Sequence, residues 1–281
     1  VAVRLGGRPL PPVFFRKRLP PLLESLFGMI ALNRPAPEAV AADPAGGVRR
    51  DAGRFRRRAL ALAAACALAG GLCFLIDLPV AQWCKTSPLP RELKRLLDLA
   101  EIFAHSTGVI ALLIALAALD PARVWAWRFP PSPGGSADVG ERAPFLRLIG
   151  ATFAGGIVTD LIKATVTRVR PRAMDLAMAG SAIDTFDRTV TSLPHPGHGD
   201  LMSFPSGHAA VAAGFATMLA WRYPHGTWVF AVFAMLAAAQ RVFASAHYPS
   251  DVLFGTALGM AGAAMLLGGV ATPRAGAARL R

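Results

Sequence analysis

Six apolar runs, at 59–76, 102–119, 145–162, 208–221, 227–246 and 252–270, leave this sequence few folds to choose from. Each is apolar on nearly every face and is closed by charged residues or prolines, unlike a soluble helix with one apolar stripe. Inside a bilayer a backbone must satisfy its own hydrogen bonds, which restricts spanning segments to helices and closed barrels. The expected fold is therefore all-α: a polytopic membrane protein with a six-transmembrane-helix bundle. The chain is 54% hydrophobic even though its formal charge is +13, so the apolar residues are concentrated in the runs. Gly150, Gly155 and Gly156 in the third run, and Ala263, Ala264, Gly268 and Gly269 in the sixth, give thin faces for close helix packing.

The basic surplus is placed as orientation demands. Arg49, Arg50, Arg54, Arg56, Arg57 and Arg58 stand just before the first run, within a Pro- and Arg-rich tail at 1–58. This predicts a retained signal anchor with a cytoplasmic N-terminus, a membrane domain at 59–272 and a cytoplasmic C-terminal tail at 273–281. An apolar island at 22–32 is too short to span and suits the bilayer surface, as does the amphipathic stretch 89–100. The three cysteines form no disulfide framework, and no RNP, zinc or helix-turn-helix pattern points to nucleic acid. His195 and His198 lack cysteine or carboxylate partners at ligand spacing, so no metal site is expected.

Six alternating spans would bring three distant stretches to one face of the membrane. In the first, Lys163 and Arg170 are seven residues apart, so a helix continuing past residue 162 would carry both on one side until Pro171 ends it. Arg168 and Arg172 add charge there. The second is Pro205-Ser206-Gly207-His208 at the start of the fourth run. Ser206 is a good N-cap, Gly207 admits a close ligand, and the unpaired N–H groups of a helix N-terminus form a seat for an anion. His208 adds a proton donor or acceptor. The third places Arg241 near the end of an apolar helix, where a cation requires a partner, with His247 and Asp251 four apart around Pro249. That spacing lets the carboxylate hold one imidazole nitrogen and leave the other free. His105, near the outer end of the second run, reads as an interfacial histidine.

Three cations, helix-end N–H groups, two histidines and a carboxylate around one oxyanion suit phosphoryl transfer, where positioning and charge neutralisation carry the catalysis. Acyl transfer fits poorly, because Ser206 has no base of its own. Taken together, Lys163-x6-Arg170-Pro171, Pro205-Ser206-Gly207-His208 and Arg241-x5-His247-x3-Asp251 resemble the three-part signature of the type 2 phosphatidic acid phosphatase (PAP2) superfamily. Gln240 departs from it, standing where the family usually has Ser.

The resemblance implies a lipid phosphatase in a bacterial-type inner membrane, acting at its exterior face. His247 would be the nucleophile, Asp251 would fix its tautomer, and His208 would protonate the leaving oxygen and then activate water. Lys163, Arg170, Ser206, Gly207 and Arg241 would hold the phosphate, with no metal or other cofactor. The partner implied is a lipid phosphate in the membrane: undecaprenyl diphosphate, phosphatidate, phosphatidylglycerol phosphate or lipid A. The alternatives are a phosphotransferase of the same superfamily and a silent anion-binding or transport protein.

Overall fold

The computed structural model describes residues 46–87, 89–119, 143–189, 191–193 and 195–268; residues 1–45 of the expected N-terminal tail, with the 22–32 island, residues 120–142 and the expected C-terminal tail lie outside them, while residues 46–58 of the expected N-terminal tail are helical. Among the described residues there are eight α-helices and no strand. They are α1 (Gly46–Cys73), α2 (Asp77–Thr86), α3 (Arg91–Ala100), α4 (Ser106–Leu119), α5 (Ala143–Lys163), α6 (Gly207–Arg222), α7 (Thr227–Phe243) and α8 (Pro249–Gly268). Two helical segments, Pro224–Phe243 and Pro249–Leu267, are long and apolar enough to cross a bilayer. Gly53–Cys73 with Asp77–Thr86, bent by 76°, and Arg91–Phe103 with Ser106–Leu119, bent by 66°, raise the number to four if each pair is one span. The expected six also require α5, which carries Arg147, Asp160 and Lys163, and α6, which has 16 residues against the about 20 of a typical span.

Several helix ends differ from expectation, each for a local reason. The first run does not continue to 76: α1 stops at Cys73, and α2 begins at Asp77 with Pro79 in its first turn, where the missing N–H costs nothing. The second run breaks at 104–105, and a Cβ on Gly108 would lie 2.4 Å from the Ile102 carbonyl oxygen, so only glycine lets that bend close. α5 ends at Lys163 and does not carry on to Arg170. Val166, Thr167 and Val169 are β-branched, and Pro171 keeps Arg170 extended at φ −68°, ψ 148°. Lys163 and Arg170 therefore do not share a helix face. The fifth run stops at Phe243, and Ser245, at φ 52°, turns the chain back so that Ala246 and His247 both donate to the Arg241 carbonyl.

The helices α5, α6 and α8 pack against one another with glycine at the seams. A Cβ on Gly155 would come within 2.4 Å of Gly259 Cα, one on Gly259 within 2.1 Å of the Ala210 carbonyl, and one on Gly214 within 2.5 Å of the Thr152 carbonyl. Such backbone contact excludes any side chain and sets the helix spacing. The adjoining core contains Phe103, Val109, Leu113, Leu148, Phe215, Met218 and Ala237.

A buried guanidinium ties these helices to the segments around them. Arg168 is fully buried. It donates from Nη2 to Asp77 at 2.7 Å, from Nη1 to Asp251 at 2.5 Å and Ser250 at 2.8 Å, and from Nε to Thr185 at 2.8 Å. The rings of Phe74, Phe186 and Tyr248 lie 4.2–5.1 Å from its central carbon, a cation–π setting for a poorly hydrated cation. Asp77 also accepts from the Ser250 N–H at 3.0 Å, so the start of α2 caps the start of α8.

Two predictions follow from this packing. Gly259→Ala should lower the thermal unfolding midpoint in detergent, at a cost of about 1–3 kcal/mol for overpacking. Gly71→Ala, whose Cβ meets nothing within 4 Å, should be neutral or stabilising. Arg168→Leu leaves two buried carboxylates without their cation and should cost about 3–5 kcal/mol. Asp77→Asn retains the acceptor and the shape and should cost about 1–2 kcal/mol by the same assay.

Candidate active site

His247 is the best-defined element of the site. It is 2% exposed, and its Nδ1 lies 2.7 Å from the backbone carbonyl of Ser203. A carbonyl only accepts, so Nδ1 carries the proton and the Nε2 lone pair is left free. The expected direct hold by Asp251 is not what the geometry provides: the carboxylate is 3.7 Å from Nδ1. Asp251 instead accepts from the Ser203 hydroxyl at 2.6 Å, the Tyr248 N–H at 2.9 Å and Arg168. It sits in the first turn of α8, where Arg168 and the free N–H groups compete for its oxygens. Asp251 thus orients Ser203, and Ser203 orients the imidazole.

Burial pushes the His247 imidazole below its ordinary pKa. The Asp251 carboxylate pulls the other way, and the cations of Arg170 and Lys163 add to the depression. Neutral His247 is therefore favoured down to lower pH than in a solvated histidine.

The second stretch behaves as its sequence implies locally. Ser206 is fully buried and caps α6, accepting from the Ala209 N–H at 3.4 Å, which leaves its hydroxyl hydrogen to donate. Its own N–H donates to the Asp251 carbonyl at 2.9 Å, and a Cβ on Gly255 would lie 2.2 Å from the Ser206 carbonyl oxygen. The N-termini of α6 and α8 are thereby locked together. A Cβ on Gly207 would sit 3.2 Å from Lys163 Nζ, so glycine here leaves room for the ammonium at the helix end.

The cations come from three separate elements. Lys163 ends α5, Arg170 precedes Pro171, and Arg241 lies in the last turn of α7. Lys163 lies within electrostatic reach of both Arg170 and Arg241. Burial, then the guanidiniums of Arg172 and Arg241, draw Arg170 below its ordinary pKa, though it stays a cation. The Nε atoms of Arg170 and Arg241 are buried with no hydrogen-bond partner among the described residues. Buried donors without partners beside like charges suit an anion with several acceptor oxygens.

Four residues without an expected role also contribute. Glu101, at the α3–α4 junction, pairs with Arg241 Nη1 and is 4.0 Å from His208 Nε2. Gln240 accepts from Arg241 at 3.1 Å and donates toward Glu101 at 3.3 Å, giving the departure from the family pattern a defined place. Ser203 and Asp77 complete the set. An acid at 77 in an otherwise apolar stretch was a signal, since such a carboxylate requires a partner. Nothing in sequence marks Glu101. His105 bonds Thr107 at 2.8 Å, and its ring lies 5.6 Å from that of His208.

Parts of this chain are similar to known proteins. The PAP2 superfamily model matches residues 144–273. A lipid A 1-phosphatase of Rhizobium johnstonii is 33% identical over 105 residues, 37% of this chain and 38% of that protein, so the alignment spans under two fifths of that relative. A lipid A 1-phosphatase of Rhizobium etli is 29% identical over 191 residues, 66% of this chain and 73% of its own. The crystal structure of a transmembrane PAP2-type phosphatidylglycerolphosphate phosphatase from Bacillus subtilis aligns with 76% of this chain and 93% of that one, at 20% identity and TM-score 0.46. All three motif stretches fall inside the segment, residues 144–273, that the PAP2 superfamily model matches.

Proposed function

We propose that this chain is a multi-pass membrane lipid phosphatase that releases inorganic phosphate through a phosphohistidine at His247. The single observation that carries the reading is the Nδ1 bond to the Ser203 carbonyl, which leaves a free lone pair on Nε2 of an imidazole within electrostatic reach of Lys163 and Arg170. A binding or transport site has no use for a nucleophile prepared in that way. The relatives named as lipid A 1-phosphatases support the same class.

In this mechanism Lys163, Arg170, Arg241, the Ser206 hydroxyl and the Gly207 N–H hold the phosphate oxygens. His247 Nε2 attacks phosphorus, the bond to the lipid oxygen breaks, and His208 gives that oxygen a proton. His208 then takes a proton from water, the water oxygen attacks phosphorus, and the P–N bond breaks to release phosphate. Glu101 stands 4.0 Å from the His208 Nε2 that would give the leaving oxygen its proton. The three cations neutralise the charge that a metal ion would otherwise screen. We place the site at the exterior face with both termini cytoplasmic; Arg54, Arg56, Arg57 and Arg58, in the N-terminal half of α1 just before its apolar stretch, support that orientation.

His247→Ala should reduce phosphate release from a lipid phosphate by at least about 10³-fold. Turnover should continue without an acceptor lipid, survive excess chelator and be inhibited by vanadate; strict magnesium dependence would count against the mechanism. The pH profile supplies another check, because attack needs neutral His247 and its pKa is held down. As pH falls, kcat/KM should stay level past the ordinary histidine value of about 6.5 and decline only below it. An acid limb at or above that value would contradict the assignment.

A further inference from the structure

Glu101, at the α3–α4 junction and outside the three motifs, shares one oxygen between two groups of the candidate site. Its Oε1 accepts from Arg241 Nη1, and the same atom lies 4.0 Å from His208 Nε2. Its Oε2 lies 3.3 Å from the Gln240 amide nitrogen, and the Gln240 carbonyl oxygen accepts from Arg241 Nη1 at 3.1 Å. The Arg241 guanidinium is thus held twice, and both holds fall on Nη1.

A guanidinium carries its five N–H groups in a rigid plane, and Nε and Nη2 form one edge of it in which Nη1 has no part. In Arg241 that edge is open: Nε is buried without a partner, and Nη2 makes no hydrogen bond among the described residues. Resting on the phosphatase reading, in which Arg241 holds the phosphate, we propose that Glu101 is a positioning residue. By fixing Nη1 together with Gln240, it turns the Nε and Nη2 edge of Arg241 toward the phosphate, so that this edge binds two phosphate oxygens side by side. His208, which has Arg241 within electrostatic reach, faces the same carboxylate oxygen.

Two forces would misdirect the guanidinium without that carboxylate. Lys163 and Arg172 are like charges within electrostatic reach of Arg241 and push it away from the phosphate. On the other side, a cavity of about 350 Å³ opens between α2, α3 and the end of α7, lined by Lys94, Asp98, Gln240 and Phe243 among others. Asp98 stands 3.4 Å from the Gln240 amide nitrogen that also meets Glu101, so it is the next acceptor along, and the cavity gives a long side chain room to reach it. Charge alone predicts the opposite result. Removing a carboxylate from beside a group of cations raises the positive charge there and would tighten an anion, whereas losing the aim of the edge would loosen it. The sign of the change decides between them.

The test measures the competitive inhibition constant of inorganic phosphate for the full chain in detergent. In Glu101→Ala the constant should rise about tenfold, the lower end of what a charge-assisted hydrogen bond contributes. Glu101→Gln keeps an acceptor for Nη1 without the charge and should recover most of that loss. An unchanged or lower constant in Glu101→Ala, or a glutamine no better than the alanine, would overturn the proposal. In an Arg241→Lys background there is no edge to aim, so adding Glu101→Ala should change the constant by less than about twofold; a further rise of about tenfold overturns the action through Arg241. If Glu101→Ala fails to fold, Gln240→Ala removes the second acceptor on Nη1 and should raise the constant about threefold, and no rise overturns the proposal. Protection by inorganic phosphate against thermal unfolding in His247→Ala separates the two readings. Turnover abolished, with protection weakened by adding Glu101→Ala, supports both. Continued turnover defeats the phosphohistidine, and protection equal with and without Glu101 defeats the positioning role.

Discussion

A guanidinium with no route to solvent must be neutralised where it lies, and Arg168 meets that demand by gathering three parts of the chain. Its carboxylate partners are Asp77 at the start of α2 and Asp251 in the first turn of α8, and its Thr185 contact reaches the long polar segment between α5 and α6. Removing two carboxylates and a cation from water carries a large desolvation penalty, recovered only when the geometry is good and the remaining donors and acceptors are paired. The Ser250 hydroxyl and N–H, the Ser203 hydroxyl and the Tyr248 N–H complete that pairing. Asp251 therefore has little freedom, and the residue that orients Ser203, and through it His247, is fixed from a distance.

The site beside this network obeys the opposite rule. Arg168 is compensated on every side, whereas Lys163, Arg170 and Arg241 stand together with two buried Nε atoms left unpartnered; Glu101 pairs with Arg241, Asp160 lies 3.8 Å from Lys163, and Asp200 and Asp251 offset the charge of Arg170 only in part. Like charges are held in this way only if the backbone makes separation impossible. Here each cation is anchored by a different element: the last turn of α5, the extended residue before Pro171 and the last turn of α7. The positive end of α6 faces the same space. An entering phosphate would relieve repulsion that the fold maintains, so the fully compensated cation provides structure and the partly compensated ones would provide affinity.

Much of this was legible in the sequence, and what was not has an identifiable cause. The apolar runs located the helices, because spanning and core segments of this kind show in composition alone, and the three motif stretches converge as their order implied. The helix ends were less legible: the bends at 74–76 and 104–105 and the early stop at Lys163 depend on how a glycine or a β-branched residue meets its neighbours in space. Arg168 is the clearest case. Read along the chain, it is one more charge between Lys163 and Arg170; only tertiary packing shows that it is enclosed by Asp77, Asp251 and three aromatic rings. Asp251 was placed beside His247 correctly by spacing, yet its role changed because the Ser203 carbonyl, which carries no sequence signal, occupies the imidazole nitrogen.

The family match begins at residue 144, but the site does not. Asp77 neutralises Arg168 from α2, and Glu101 meets both Arg241 and His208 from the α3–α4 junction. Both lie before the matched segment, so the motifs alone would leave Arg168 short of one carboxylate and Arg241 without its ion-pair partner. The helices before 144 are thus part of the candidate site, not an anchor added to it. They also supply most of the polar walls of the cavity beside Gln240. In the proposed mechanism this divides the work along the chain: residues from 163 onward would hold phosphate and carry the nucleophile, while Asp77 and Glu101 complete the charge balance. Because Gln240 contacts Arg241, Glu101 and Asp98 at once, it is where the two halves meet. A serine at that position is too short to span the three, which gives the glutamine a physical reason to stand there.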